Sequence, residues 1–123
     1  MNTNENIIRD FVTAWSRLDV KELSAFFTDD GCYHNMPLQP AKGRENVEQL
    51  IAGFLSTWTE TEWEIINIAS SGDIVIVERI DKTKTTAGNV DLPCVGVFEL
   101  ENGKIKEWRD YFDMATYAGA MKA

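Results

Sequence analysis

Apolar side chains recur along this chain with two periods, and the change falls near residue 58. Upstream, Ile8, Phe11, Val12 and Trp15 lie three or four residues apart and predict an amphipathic helix over residues 4–18. Asp19 followed by Glu22 has the form of a helix start and predicts a short second helix over 20–27. Asp29-Asp30-Gly31 punctuates the chain, Cys32 to Asn35 reads as extended, and Pro37 and Pro40 mark a loop. Val47, Leu50, Ile51, Phe54, Leu55 and Trp58 then share one face of a third helix over 45–58. Downstream the period drops to two. Strands are predicted over 63–69, 74–86, 90–101 and 104–114, separated by turns at Ser70-Ser71-Gly72-Asp73, Ala87-Gly88-Asn89 and Asn102-Gly103, with a short helix over 116–121. Helices first and a meander second is an α+β plan, with residues 1–123 as one domain. A curved antiparallel or mixed sheet wrapped around three N-terminal helices would form a cone with an internal pocket, the helical apolar stripes making one wall.

Charges interrupt this pattern where burial is expected. In the strand from Ile74, alternation puts Val75, Val77, Arg79, Asp81 and Thr83 on one face. In the last strand Trp108, Asp110 and Phe112 share a face, so a carboxylate stands between two aromatics. An unpaired buried charge costs several kcal/mol or more, so such charges are paired, used, or both. Arg79 with Asp81, or Arg109 with Asp110, would be ordinary surface pairs at a sheet edge. The apolar opposite face of Ile74, Ile76 and Ile80 instead favours a strand covered on both sides, and with it a cavity where both aspartates meet Arg79. Three helices cover only one side, so the outer face predicts a homodimer.

In an extended segment, Tyr33 and Asn35 project together and His34 projects oppositely. A phenol beside an amide can hold a small polar molecule such as water; equally, Tyr33 packs and Asn35 caps a turn. Trp15, Phe54, Trp58 and Leu92 are core residues first, and in a cone with a polar floor they also line the entrance, as do Trp108 and Phe112 beside Asp110. His34 reads as structural. Cys94 reads as a small buried hydrophobe, since no histidine is placed to activate it.

Composition narrows the chemistry. The net charge of −8, from 12 Lys+Arg against 20 Asp+Glu, argues against nucleic acid or an anionic membrane as partner. No apolar run approaches the ~18 residues of a membrane span. The polar start lacks the features of a signal peptide, and two distant cysteines fit a reduced cytoplasmic protein. A single histidine rules out multi-histidine metal sites, and no phosphate-binding glycine loop or nucleophile elbow is present. Carboxylates, arginine, tyrosine and amides remain.

Four segments in order carry a resemblance: Tyr33-His34-Asn35-Met36-Pro37-Leu38, Gly43-Arg44, Glu78-Arg79-Ile80-Asp81, and Gly96-Val97-Phe98-Glu99 running through Gly103-Lys104-Ile105 to Trp108-Arg109-Asp110-Tyr111-Phe112-Asp113. From about Ile8 to Met114 the chain resembles the limonene-1,2-epoxide hydrolase family. That family sits within the cystatin-like α+β cone superfamily that includes nuclear transport factor 2 and ketosteroid isomerase. The resemblance implies that Asp110 is a general base, Asp81 a general acid and Arg79 the bridge between them, with Tyr33 and Asn35 holding the attacking water. It further implies a lipophilic epoxide and water as reactants, a vicinal diol as product, and no metal, organic cofactor or covalent intermediate. A proton transfer of ketosteroid-isomerase type and a non-catalytic binding or dimerisation module are the alternative readings.

Overall fold

The computed structural model describes residues 3–120. Helix α1 (Thr3–Ala14) buries Ile8, Phe11, Val12 and Ala14, then tightens into a 3-10 turn (Trp15–Arg17) rather than continuing to residue 18. Leu18, at a φ of 52°, ends it. In α2 (Val20–Ser24) the Asp19 carboxylate accepts from the Glu22 N–H at 3.2 Å, as the cap pattern requires. That helix stops three residues short of the predicted end, because Phe27 opens strand β1 (Phe27–Asn35). Asp29-Asp30-Gly31 therefore lies inside a strand, where it is absorbed as a shift of pairing register between Phe27 and Cys32.

Past the proline loop, a two-residue strand β2 (Ala41–Lys42), not foreseen, pairs with Cys32 and Tyr33. Helix α3 (Arg44–Leu55) follows, and Arg44 donates through Nε and Nη2 to the Phe27 carbonyl at 3.1 and 2.7 Å, tying its start to β1. Trp58, predicted as the last residue of that helix, opens β3 (Trp58–Ser71). The helical spacing misled because Trp58 stacks on Phe54, with centroids 5.8 Å apart, as a fourth-neighbour residue would.

Strand β3 is twice the predicted length, with register shifts near Trp58 and Ile65 that bend it. Then come β4 (Ile74–Thr85), β5 (Asn89–Glu101), β6 (Lys104–Phe112) and α4 (Met114–Ala120). Helix α4 begins two residues earlier than predicted, and its predicted end at Met121 lies outside the described residues. The β5–β6 hairpin turns on Asn102 and Gly103, both at positive φ (52° and 79°), as a two-residue Asn-Gly turn demands.

The architecture is a mixed α+β cone: one curved six-stranded sheet in the order β2-β1-β6-β5-β4-β3 and four helices. Among the described residues only the β1–β6 pair is parallel, which lets the first strand enter beside the last one. The concave face holds an aromatic core of Phe11, Trp15, Phe27, Phe98 and Trp108, all fully buried. Each such side chain contributes roughly 1.5–3 kcal/mol by leaving water. The convex face is open in the chain itself. Ile74 and Ile76, read as covered, are 39% and 44% exposed, because no helix of the described residues crosses that side. No helix of the described residues is long and apolar enough to cross a membrane.

Candidate active site

Strand pairing assembles the polar groups in three adjacent rows on the concave face. Trp63, Asp81 and Leu92 align across β3, β4 and β5. Beside them run Arg79, Cys94 and Phe112, and next Gly96, Asp110 and Asn35. Tyr33 pairs with Trp108 one step further along β1 and β6. Two residues per inward position thus carry β4 from Val75 and Val77 straight into Arg79 and Asp81, and all four are buried.

Arg79 is wholly buried and bridges both carboxylates. Its Nε and Nη2 donate to Asp81 Oδ1 and Oδ2 at 2.8 and 3.0 Å, and its Nη1 and Nη2 donate to Asp110 Oδ1 and Oδ2 at 2.8 and 2.5 Å. The carboxylates are not equivalent. Asp110 Oδ1 also accepts the Trp108 indole N–H at 2.9 Å, whereas the extra donor to Asp81 is the Cys94 thiol at 3.3 Å, a weak one. Burial, only partly opposed by Arg79, pushes the Asp81 carboxyl up to about 6. One cation between two buried carboxylates compensates one negative charge, so the triad favours holding one proton. Burial likewise raises the Tyr33 phenol well above its ordinary value and keeps it a neutral donor, with the Asn35 side chain hydrogen-bonded to it. Tyr33 lies flat on Trp108, with centroids 4.0 Å apart and planes 5° from parallel.

Gly96 sits against this ion pair. A Cβ built there would lie 2.7 Å from Arg79 Nη1 and 2.9 Å from Asp110 Oδ1, so only glycine lets the pair close. Asp81, Cys94 and Asp110 converge closely enough to be considered as metal ligands. The Arg79 guanidinium already stands between the two carboxylates as their cation, and burial raises the Cys94 thiol far above its usual range, away from the ligating thiolate.

Above the polar floor lies a cavity reached by Tyr33, Asn35, Asp81 and Asp110. Of the apolar residues predicted to line it, Phe54, Trp58, Leu92 and Phe112 do so. Trp15 and Trp108 do not. Both have no exposed surface, Trp15 because it stacks under Trp63 at 4.3 Å and Trp108 because Tyr33 and Phe98 cover it. Sequence reasoning missed Leu38, Trp63, Met114 and Tyr117. Along β3, Thr61 and Trp63 alternate inward with exposed neighbours, but nothing local in the sequence says that this face meets Asp81. Cys94 is buried as expected, yet its S–H reaches Asp81. Arg109 points outward to Glu99 and Glu107, and His34 contacts the Leu38 carbonyl at 3.0 Å, outside the cavity lining.

Residues 2–122 match the limonene-1,2-epoxide hydrolase catalytic domain. The chain belongs to that family. It is 29% identical over 107 residues to the epoxide hydrolase EphG of Mycobacterium tuberculosis, covering 87% of this chain and 71% of that protein. Among solved structures, an M. tuberculosis epoxide hydrolase of the same type superposes with a TM-score of 0.84 at 27% identity, over 97% of this chain and 90% of the other. A putative SnoaL-like polyketide cyclase from Shewanella putrefaciens CN-32 superposes with a TM-score of 0.88 at 16% identity, over 98% and 97% of the two chains; that likeness concerns the fold alone. Family membership and the EphG relative support epoxide hydrolysis as the general reaction class.

Proposed function

We propose that this protein adds water to a neutral, lipophilic epoxide in one concerted acid–base step and releases a vicinal diol, as a cofactor-independent hydrolase of limonene-1,2-epoxide hydrolase type. The observation that carries the reading is the unequal pair of carboxylates on Arg79, beside Tyr33 and Asn35, at the floor of an apolar cavity. Asp110, ionised, takes a proton from a water held also by Tyr33 and Asn35. The oxygen of that water bonds to an epoxide carbon as the carbon–oxygen bond of the ring breaks. Asp81, protonated, gives its proton to the departing oxygen. The step ends with the proton on Asp110 and the charge on Asp81, and exchange with solvent restores the start. Phe54, Trp58, Leu92 and Phe112 hold the hydrocarbon part, and among the described residues that line the cavity there is no cation for an anionic substrate.

A panel of cyclic and acyclic epoxides, incubated with a chelator, should give diols. No diol above background from any of them would leave the binding-module reading. A single turnover in heavy-oxygen water should label the diol and not the protein; label in an aspartate would mean a nucleophilic carboxylate.

The reading extends to a homodimer through the convex face, where Ile66, Ile76, Val95 and Tyr111 are each at least 36% exposed. Light scattering should give twice the chain mass at micromolar concentration, and a monomer mass contradicts this.

A further inference from the structure

We propose that Trp63 is a positioning residue for the acid side of the site: its indole fixes the plane of Arg79 and keeps the space beside Asp81 dry. Three independent contacts support this. The Arg79 Cζ lies 4.3 Å from the centre of the Trp63 ring, a cation held against a π face. Trp63 in turn stacks on the fully buried Trp15, centroids 4.3 Å apart and planes 15° from parallel, so the platform cannot recede. Its Nε1–H donates to Thr61 Oγ1 at 3.1 Å, and Thr61 is 2.7 Å from Thr83 Oγ1, which fixes the rotation of the indole. Cross-strand pairing sets Trp63 next to Asp81, and both line the cavity.

The consequence is electrostatic as well as geometric. Four N–H bonds hold Arg79 in its own plane, and Trp63 covers the ring-facing side where water would otherwise solvate it. The groups of charge or titratable character around Asp81 are Arg79 on β4, Cys94 on β5, Asp110 on β6 and Tyr33 on β1, with Tyr117 of α4 on the same cavity. From β3 the neighbour is Trp63, which contributes exclusion of water and no charge. Desolvation is the leading reason that the Asp81 carboxyl is raised to about 6. An aliphatic side chain at 63 would admit water, release Asp81 toward the ordinary carboxylate range, and leave less acid at pH 7. The inference rests on Asp81 being the acid, but its decisive measurement needs no substrate.

Infrared titration of the ligand-free protein reads Asp81 through a protonated-carboxyl band, identified by its loss in Asp81→Asn. The wild-type band should titrate with a midpoint of about 6. Trp63→Leu should lower that midpoint by about one unit or more, and Trp63→Phe, which keeps an aromatic face, by much less. With a small epoxide, Trp63→Leu should lower kcat about tenfold with KM within about twofold, and the basic limb of kcat/KM should move to lower pH with the band. A folded Trp63→Leu protein with an unmoved band overturns the inference and leaves Trp63 a cavity wall. If Trp63→Leu does not fold, Trp63→Met takes its place against Trp63→Phe, and equal midpoints in the two overturn it. If neither aliphatic variant folds, Thr61→Val, which keeps the indole but removes the acceptor of its N–H together with the Thr61–Thr83 contact, must lower the midpoint; an unchanged midpoint overturns the inference. Should no epoxide react at all, the hydrolase reading fails while the band still decides the role of Trp63.

Discussion

Two arginines of this chain each bridge a pair of carboxylates, on opposite faces of the same sheet. Arg79 on the concave face joins Asp81 and Asp110; Arg109 on the convex face joins Glu99 and Glu107. The charge count is the same, one cation to two anions. The surroundings differ. The Arg79 side chain has no exposed surface, whereas that of Arg109 is 23% exposed and its partners about 40%. On the outside, the hydrogen bond from Arg109 lowers the Glu99 carboxyl below its ordinary value, and water tolerates the surplus anion. On the inside, burial overrides the guanidinium and raises Asp81. The same ionic motif is thus a surface clamp on one face and a one-proton store on the other, and burial is the leading cause of the difference.

The largest test of that contrast is catalytic. Asp81→Asn and Asp110→Asn should each lower kcat by about 10²–10⁴; the protonated-carboxyl infrared band should vanish in the first and, with one carboxylate left to one cation, titrate at lower pH in the second. A band that follows Asp110 instead reverses the acid and base roles. Glu99→Gln and Glu107→Gln should leave kcat unchanged.

Removing the inner cation should cost more stability than any surface change. Arg79→Met leaves two buried carboxylates without a counter-charge, and chemical denaturation at pH 7 should show a loss of about 3–5 kcal/mol. The backbone of Gly96 sharpens the point from another direction. Gly96→Ala forces a methyl group against Arg79 Nη1 and Asp110 Oδ1 and should lower kcat by about 10² through displacement of the pair, with the fold retained by circular dichroism.

A smaller effect concerns pH. Asp81 binds its proton more tightly folded than unfolded, so its contribution to stability is fully present below its ordinary value of 3.8, and is lost as pH rises through about 6. Melting temperature should therefore fall across that window, by an amount worth a few kcal/mol at most, and Asp81→Asn should flatten the fall. Smallest is the outer clamp: Arg109→Ala should change stability by less than about 1 kcal/mol, in a manner weakened by salt. A loss as large as that of Arg79→Met would mean that the convex face is buried against a second copy.

Much of the architecture was legible in the pattern of side chains. The three N-terminal helices, the long strands and the Asn102-Gly103 turn follow from local preferences of period, cap and φ. Boundaries were misplaced where tertiary contacts imitate a local signal: Trp58 continues a helical stripe because it stacks on Phe54, and Asp29-Asp30-Gly31 looks like a break although β1 runs through it, pairing with β6 at Phe27 and again at Cys32. Of the candidate site, the inward alternation of Arg79 and Asp81, and of Trp108 and Asp110, was readable, since period two is a property of one strand.

What the sequence by itself determined is therefore everything that depends on neighbours along the chain: which residues share a face, where charge interrupts an apolar stripe, and which family the motifs match. What only the tertiary structure decided is which faces meet and how dry the meeting place is. The pairing of β3 with β4 brings Trp63 to Asp81, the pairing of β5 with β6 brings Gly96 beneath Asp110, and the parallel entry of β1 beside β6 delivers Asn35 to the same row. The charge state of a carboxyl group depends on the solvent it loses and the cation it gains. Both are set by contacts between residues distant in the chain, so folding alone makes Asp81 differ from Glu99.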